Sequence, residues 1–202
     1  LEPTENRLIY CHKGQLRLKI TAYGKAAHAS VPEQGENAIL KLNGAITKIS
    51  SSKLNASHDV LGKPTINIGK INGGTASNIV PDKAEMLVDR RILPNEDISK
   101  IVKFYKNLLK PLSVEVDGLF KPAEFDNKSY IIQKMQKILK KFNMNPNPTG
   151  VLFTTQLGEM KNVQGVVFGS GSVKQAHKID ESVPINEVEM PYKIFCELFK
   201  RI

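Results

Sequence analysis

The order of the periodic segments in the first two thirds of the chain is the feature that most narrows the folds open to it. Between residues 15 and 23, Leu16, Leu18 and Ile20 alternate with polar residues, which is the period-2 pattern of a half-buried strand. Further segments predict two amphipathic helices and three strands: helices at 36–50 and 97–110, strands at 65–71, 83–91 and 113–117. The order β-α-β-β-α-β is that of a ferredoxin-like sandwich, four antiparallel strands with two helices on one face.

The pattern changes after about residue 121. Residues 131–142 predict a strong helix, a turn rich in Pro and Asn follows as "NMNPNPTG", and "GVVFG" at 165–169 predicts a short apolar strand. A last helix runs through Ile194 and Phe199. Strands that alternate with helices indicate α/β packing, but so few elements cannot close a sheet covered on both faces. This region therefore looks like part of a domain.

The net charge of +9 over 202 residues raises the question of nucleic-acid binding. The lysines are dispersed, mostly on polar helix faces such as that of Lys134, Lys137 and Lys141, which favours a solvated basic surface. RNA-binding sheets of this type stack bases on exposed aromatic residues, and the predicted strands "TINIGKI" and "KAEMLVDRR" contain none. We therefore expect no nucleic-acid partner.

The cysteines and the hydropathy favour a cytoplasmic protein without a membrane partner. Cys11 and Cys196 lie far apart with no CxxC spacing, which argues for a reducing compartment and against a disulfide framework. No run approaches the ~20 apolar residues of a membrane helix, and no secretory signal is visible.

Three segments together resemble the di-zinc acetylornithine deacetylases, succinyl-diaminopimelate desuccinylases and related carboxypeptidases. They are "EPTENRLIYCHKGQLRLKITAYGKAAHASVPEQGENAI", "INGGTASNIVPDKAEMLVDRRILP" and "VVFGSGSVKQAHKIDESV", in the order of that family. The resemblance implies an α/β catalytic domain interrupted by a ferredoxin-like lid that mediates homodimerisation. We accordingly expect catalytic-domain parts at 1–11 and 122–202 and the lid at 12–121.

The resemblance also implies a metal site. Glu2, in "Glu-Pro-Thr", and His177, in "AHKIDES", correspond to ligands of two different zinc ions, for which cobalt can substitute. The family's bridging aspartate, first histidine and tandem glutamates lie upstream of "EPT", and no His-x-Asp or Glu-Glu pair occurs in the 202 residues. We therefore expect an incomplete metal site, and a chain that is inactive on its own.

Further residues acquire roles from the resemblance. His28 corresponds to a lid histidine that reaches the active site of the partner subunit and donates an N–H to the oxyanion of the tetrahedral intermediate. Substrate contacts are implied for four residues: Asn78, Arg91, Thr155 and Gly171. A surface ion pair is the alternative for Arg91, since a bidentate fork suits either role.

The sequence departs from the family pattern at one position. Gln156 stands where the deacetylases usually have an acidic residue, which leaves the substrate open. His12 and His58 match nothing in the family, and we expect both to be exposed to solvent.

The resulting hypothesis is a zinc-dependent hydrolase of small N-acyl amino acids, connected with amino-acid biosynthesis and present here as a C-terminal portion. The alternative is a non-catalytic homodimerisation or binding module derived from the same family.

Overall fold

The computed structural model describes residues 2–160, 163–176 and 178–200. Those residues form seven strands and four α-helices: β1 (Ile9–His12), β2 (Gly14–Tyr23), α1 (Ala38–Ser50), β3 (Thr65–Gly73), β4 (Lys83–Ile92), α2 (Ile98–Leu108), β5 (Ser113–Phe120), β6 (Ala123–Glu124), α3 (Tyr130–Lys141), β7 (Thr149–Val151) and α4 (Ile185–Phe199). They divide into two compact units, and each is described separately below.

Unit 2 consists of Gln15–His58 and Lys63–Phe120. Its four-stranded sheet has the order β3-β4-β2-β5, and α1 packs against β4 and β3 while α2 packs against β5. Every second residue of β4 is buried, which is the alternation that the sequence predicts for a strand with one face in the core. The predicted β-α-β-β-α-β sandwich is confirmed.

Side-chain caps explain where the two helices of unit 2 begin. The Asn37 side chain accepts hydrogen bonds from the backbone N–H groups of Ile39 and Leu40, and the Asp97 side chain accepts one from Lys100. Each cap satisfies amide groups that have no partner within the helix. From Asn37 onward the 3.6-residue period buries Leu42, Ala45 and Ile49 and leaves the opposite face in solvent: Leu40 is 68% exposed.

Unit 1 consists of the described residues of Leu1–Gly14, Asp59–Gly62 and Lys121–Ile202. Its sheet has three strands in the order β6-β1-β7, with β1 antiparallel to β6 and parallel to β7. Helices α3 and α4 pack against each other. The three strands are two to four residues long, too short to show an alternating pattern in the sequence, and none of them was predicted.

The strand predicted at residues 165–169 is wrong. Only Val167 pairs with the sheet, by two backbone hydrogen bonds of 2.9 Å to Ile9. Two residues later the Gly169 carbonyl accepts from Asn6 N–H at 2.8 Å, so the chain has already left the ladder to pair with another segment. This segment is apolar because Val167 and Phe168 are buried, and not because it forms a strand of the sheet.

The prediction that His12 is exposed is also wrong. His12 is fully buried because β1 is the central strand of its sheet and all four of its residues are covered. Its Nδ1 lies 3.0 Å from the Lys13 carbonyl oxygen, and burial lowers the pKa of the imidazole. His58, expected to be exposed, is half-buried.

Cys11 and Cys196 are both free thiols. Cys11 is buried in β1, and the loss of hydration, with the neighbouring Glu124 carboxylate, raises its pKa to about 11. Among the helices of the described residues, none has the length and apolar character of a bilayer span.

Candidate active site

The segment that begins with Glu2 is held against the loop 169–172 in unit 1. Glu5 N–H donates to the Gly171 carbonyl at 2.9 Å, and Thr4 and Ser172 form an antiparallel bridge. The Thr4 hydroxyl, fully buried, accepts from Gly169 N–H at 3.0 Å. The threonine of the "Glu-Pro-Thr" motif thus fastens Glu2 beside the Gly-Ser-Gly loop.

Two glycines make this close approach possible. A Cβ on Gly169 would lie 2.5 Å from the carbonyl oxygen of Glu2, closer than real Cβ contacts come, so a larger residue would push the two segments apart. Gly171 has a φ of +80°, in the left-handed region that glycine adopts without steric penalty. Its N–H donates to a Glu187 carboxylate oxygen at 3.2 Å.

Glu2 borders two cavities of unit 1. The larger, about 550 Å³, is lined by apolar residues of α4 and by polar residues of other segments; its lining includes Glu2, Gly171, Gln175, Glu181, Val188 and Tyr192. The other, about 380 Å³, is lined by Glu2, Thr155 and Gln156 among others. Three of the residues singled out in the sequence, Glu2, Gly171 and Thr155, are therefore brought to neighbouring cavities of one unit.

Thr155 has a local structural task in addition to its predicted substrate contact. It is 4% exposed, and its hydroxyl accepts from Leu157 N–H at 3.2 Å, which caps the short 3-10 helix Gln156–Glu159. The hydroxyl hydrogen is left to donate to another group.

His177 lies outside the described residues, and its role as a metal ligand stays a prediction. The carboxylate of Glu2 is of the right chemical type for a zinc ligand, but zinc takes three protein ligands or so. Among residues 2–160, 163–176 and 178–200, no three His, Cys, Asp or Glu side chains are grouped so that they could hold a metal ion. The described residues therefore do not fit a complete zinc site.

His28 and Asn78 are neighbours in unit 2. His28 bridges to Ile79, and Ala29 N–H donates to the Asn78 carbonyl at 3.0 Å. Both side chains lie on exposed residues of the loops that follow β2 and precede β4. Two residues separated by fifty positions in the sequence thus form one exposed polar corner.

Arg91 lies at the other end of β4. Asn78 comes before the ten-residue strand, and Arg91 is the second-last residue of that strand. At ~3.3 Å per residue, the length of the strand places the two residues roughly 25 Å apart. Arg91 pairs with Asp89, Nε to Oδ1 at 2.9 Å. Within one copy of the chain, Arg91 cannot contact the same small molecule as His28 and Asn78.

The chain matches the family model described as "Peptidase dimerisation domain" over residues 10–117, more than half of its length. The chain belongs to the M20 peptidase family. Among its M20 relatives, the "Probable succinyl-diaminopimelate desuccinylase" of Staphylococcus aureus (strain MRSA252) is 30% identical over 98% of this chain and 57% of its own length. The "Acetylornithine deacetylase" of Proteus mirabilis is 27% identical over 98% of this chain and 54% of its own.

Among solved structures, a tripeptidase from S. aureus superposes with a TM-score of 0.78 at 22% identity, over 98% of this chain and 54% of the tripeptidase. At that identity the likeness shows the M20 fold only. The chain spans little more than half the length of the curated relatives it matches.

Sequence reasoning missed two residues of α4 near the Glu2 segment. Glu187 accepts a hydrogen bond from the Gly171 N–H, and Tyr192, five residues further along α4, lines the larger cavity. The sequence offered one signal for Glu187: an acidic residue in the first turn of a helix, just after Pro184, is stabilised by the helix dipole.

Proposed function

We propose that this chain is part of a zinc-dependent M20 hydrolase that cleaves an N-acyl amino acid into a carboxylic acid and a free amino acid. Glu2 and His177 are then zinc ligands, and the remaining ligands come from outside the described residues. The packing of the Glu2 segment on the loop that leads towards His177 is the observation that carries the proposal. The names of the desuccinylase and deacetylase relatives support the reaction class.

In this proposal the residues of unit 2 act on substrate through two separate sites. His28 donates an imidazole N–H to the oxyanion that develops during amide hydrolysis, and Asn78 contacts the substrate beside it. Because Arg91 lies at the far end of β4, it binds a substrate carboxylate in a different site of a homodimer. Asp89 holds the Arg91 guanidinium in place until the substrate carboxylate shares it.

Substitution of His28 tests the reaction. In an active preparation of the hydrolase, His28→Ala should lower kcat about 10²- to 10³-fold, the usual effect of losing one oxyanion donor, with zinc content unchanged. His58→Ala, which removes the other histidine of unit 2, is the matched control and should leave kcat as it is. Equal turnover of His28→Ala and the unaltered protein would remove His28 from the mechanism.

A second candidate is a homodimerisation module without hydrolase activity, favoured by the match to a dimerisation domain. The edge strand β3 is exposed along most of its length. Exposed apolar residues occur both on β3 and on the adjacent α1: Ile71 is 51% and Leu40 68% exposed. Both candidates thus share a homodimer, formed along β3. Stoichiometric tight zinc together with hydrolysis would eliminate the module without activity.

The proposal that β3 forms the dimer interface can be tested by introducing a charged residue on that strand. Ile71→Lys on β3 should shift the protein from dimer to monomer in sedimentation equilibrium, since a buried ammonium at the interface is not paired. Val116→Lys on the opposite edge strand, β5, where the side chain is 48% exposed, is the control and should leave the dimer intact. The opposite result would move the interface to β5.

The two free thiols suit a reducing compartment, and we propose a cytoplasmic location on that ground.

A further inference from the structure

The Nδ1 atom of His28 has two possible donors, and both belong to Ser30. The Ser30 backbone N–H donates to Nδ1 at 3.2 Å, and the Ser30 hydroxyl oxygen lies 2.7 Å from the same atom. A backbone N–H can only donate, so Nδ1 in this arrangement carries no proton. The proton of the neutral ring is therefore on Nε2.

The backbone around the ring is set independently of these contacts. Val31 N–H donates to the His28 carbonyl at 3.0 Å, which closes a turn over residues 28–31, and the His28–Ile79 bridge holds its start. The imidazole accepts from the N–H two residues on, as Asn and Asp side chains do in Asx turns. Because the turn is already closed, the hydrogen bond to Nδ1 requires little additional ordering of the chain.

We propose that Ser30 is a positioning residue, which fixes His28 in the tautomer that presents Nε2–H to a ligand outside its own chain. The inference rests on the proposed function, in which His28 must donate to an oxyanion. Both residues are exposed, and within the described part of the chain both hydrogen bonds of the ring are on Nδ1. The Nε2–H of this exposed side chain is thus left for a ligand from a second molecule.

His12 provides the opposite case in the same chain. Its Nδ1 lies 3.0 Å from the Lys13 carbonyl, which can only accept, so the neutral ring carries its proton on Nδ1. The two histidines therefore have opposite tautomers, that of His12 set by a backbone carbonyl and that of His28 by the N–H and hydroxyl of Ser30. This contrast gives an internal reference for the experiment.

The test is a long-range ¹H–¹⁵N correlation spectrum of the 202-residue chain with ¹⁵N-labelled histidine, at about pH 9, well above the ~6.5 of a free histidine. His28, assigned by its loss in His28→Gln, should show a protonated Nε2 and an unprotonated, hydrogen-bonded Nδ1, and His12 the reverse. In Ser30→Ala, which loses the hydroxyl and keeps the backbone N–H, the Nδ1 resonance should move part of the way towards that of a free unprotonated nitrogen while the proton stays on Nε2, and Ser30→Thr should restore it. A proton on Nδ1 of His28, or a Nδ1 resonance unmoved in Ser30→Ala, would overturn the proposal.

Turnover gives a second measurement that separates this inference from the proposed function. In an active hydrolase, Ser30→Ala should lower kcat about 2- to 10-fold with KM unchanged, the worth of one hydrogen bond. If His28→Ala leaves kcat unaltered, the proposed catalytic role of His28 fails while the spectrum still decides the tautomer.

Discussion

The two units of the chain differ in how far each covers its own apolar residues. Unit 2 places one layer of helices on one face of a four-stranded sheet, and its core residues, such as Leu18, Leu42 and Met86, are almost fully buried. Unit 1 has a three-stranded sheet, and it leaves several large apolar side chains more than two-thirds exposed: Tyr130, Ile179, Ile185, Tyr192 and Phe199.

The two units also differ in where their candidate functional residues lie. Unit 2 has the closed core and presents His28, Asn78 and Arg91 from its surface. Unit 1 buries apolar residues around Ile9 and Val167 and along α3 and α4, and it holds the Glu2 cavities.

The buried ion pair of unit 2 should give the largest effect. Arg90 and Glu96 are 5% and 10% exposed and pair at 2.6 Å, so Arg90→Met leaves a buried carboxylate unpaired and should lower the free energy of unfolding by about 3–5 kcal/mol. Arg91→Met, at the next residue, breaks a pair in which the side chains are 30% and 26% exposed, and should cost about 1 kcal/mol or less. Urea unfolding measures both. Similar losses for the two variants would contradict the contrast between them.

Truncation of the core sharpens the comparison between units. Leu42→Ala, inside unit 2, should lower the free energy of unfolding by about 2–5 kcal/mol. Leu40→Ala on the same helix and Ile185→Ala in unit 1, both mostly exposed, should each change it by about 0.5 kcal/mol or less. A large loss for Ile185→Ala would show that unit 1 is covered in solution by another surface.

Two glycine substitutions compare a crowded site with an open one. Gly169→Ala in unit 1 should cost about 1–3 kcal/mol, because the new methyl group meets the Glu2 backbone. Gly44→Ala, in α1 of unit 2, meets no atom within 4 Å and should stabilise the chain by about 0.4–1 kcal/mol. Thermal unfolding followed by circular dichroism distinguishes the two signs, and stabilisation by Gly169→Ala would refute the packing of the Glu2 segment described above.

A pH-dependent effect on stability is expected in unit 1. Burial lowers the pKa of His12, so between the unfolded pKa near ~6.5 and its lower folded value the unfolded chain binds the extra proton. Stability is therefore lost as the pH falls through this window, by at most ~1.4 kcal/mol per pH unit. In His12→Asn, which keeps a donor for the Lys13 carbonyl, the free energy of unfolding should fall less steeply from about pH 7 to 5. Parallel curves for the two proteins would show that His12 does not contribute.

Prediction from the sequence succeeded best in unit 2. There the strands are eight to ten residues long and one face of each helix is buried, so the alternation of Leu16, Leu18 and Ile20 and the spacing of Leu42, Ala45 and Ile49 report the structure directly. In unit 1 the strands are too short for such a pattern, and β1 was recognised neither as a strand nor as a burial site for His12.

The sequence identified the candidate site residues, but it could not show which of them lie close together in space. The motifs singled out His28, Asn78 and Arg91 alike, since all three occur in lid segments that resemble the same family. Only the register of the sheet shows that His28 and Asn78 meet at one end of β4 while Arg91 lies at the other.

By itself, the sequence determined the ferredoxin-like order of unit 2 and the family resemblance, because periodicity and short motifs are local properties of the chain. The tertiary structure alone decided that Thr4 fastens Glu2 to the Gly169 loop and that His12 is buried. These depend on which segments approach each other and on the direction of single hydrogen bonds. Neither is encoded in the spacing of residue types along the chain.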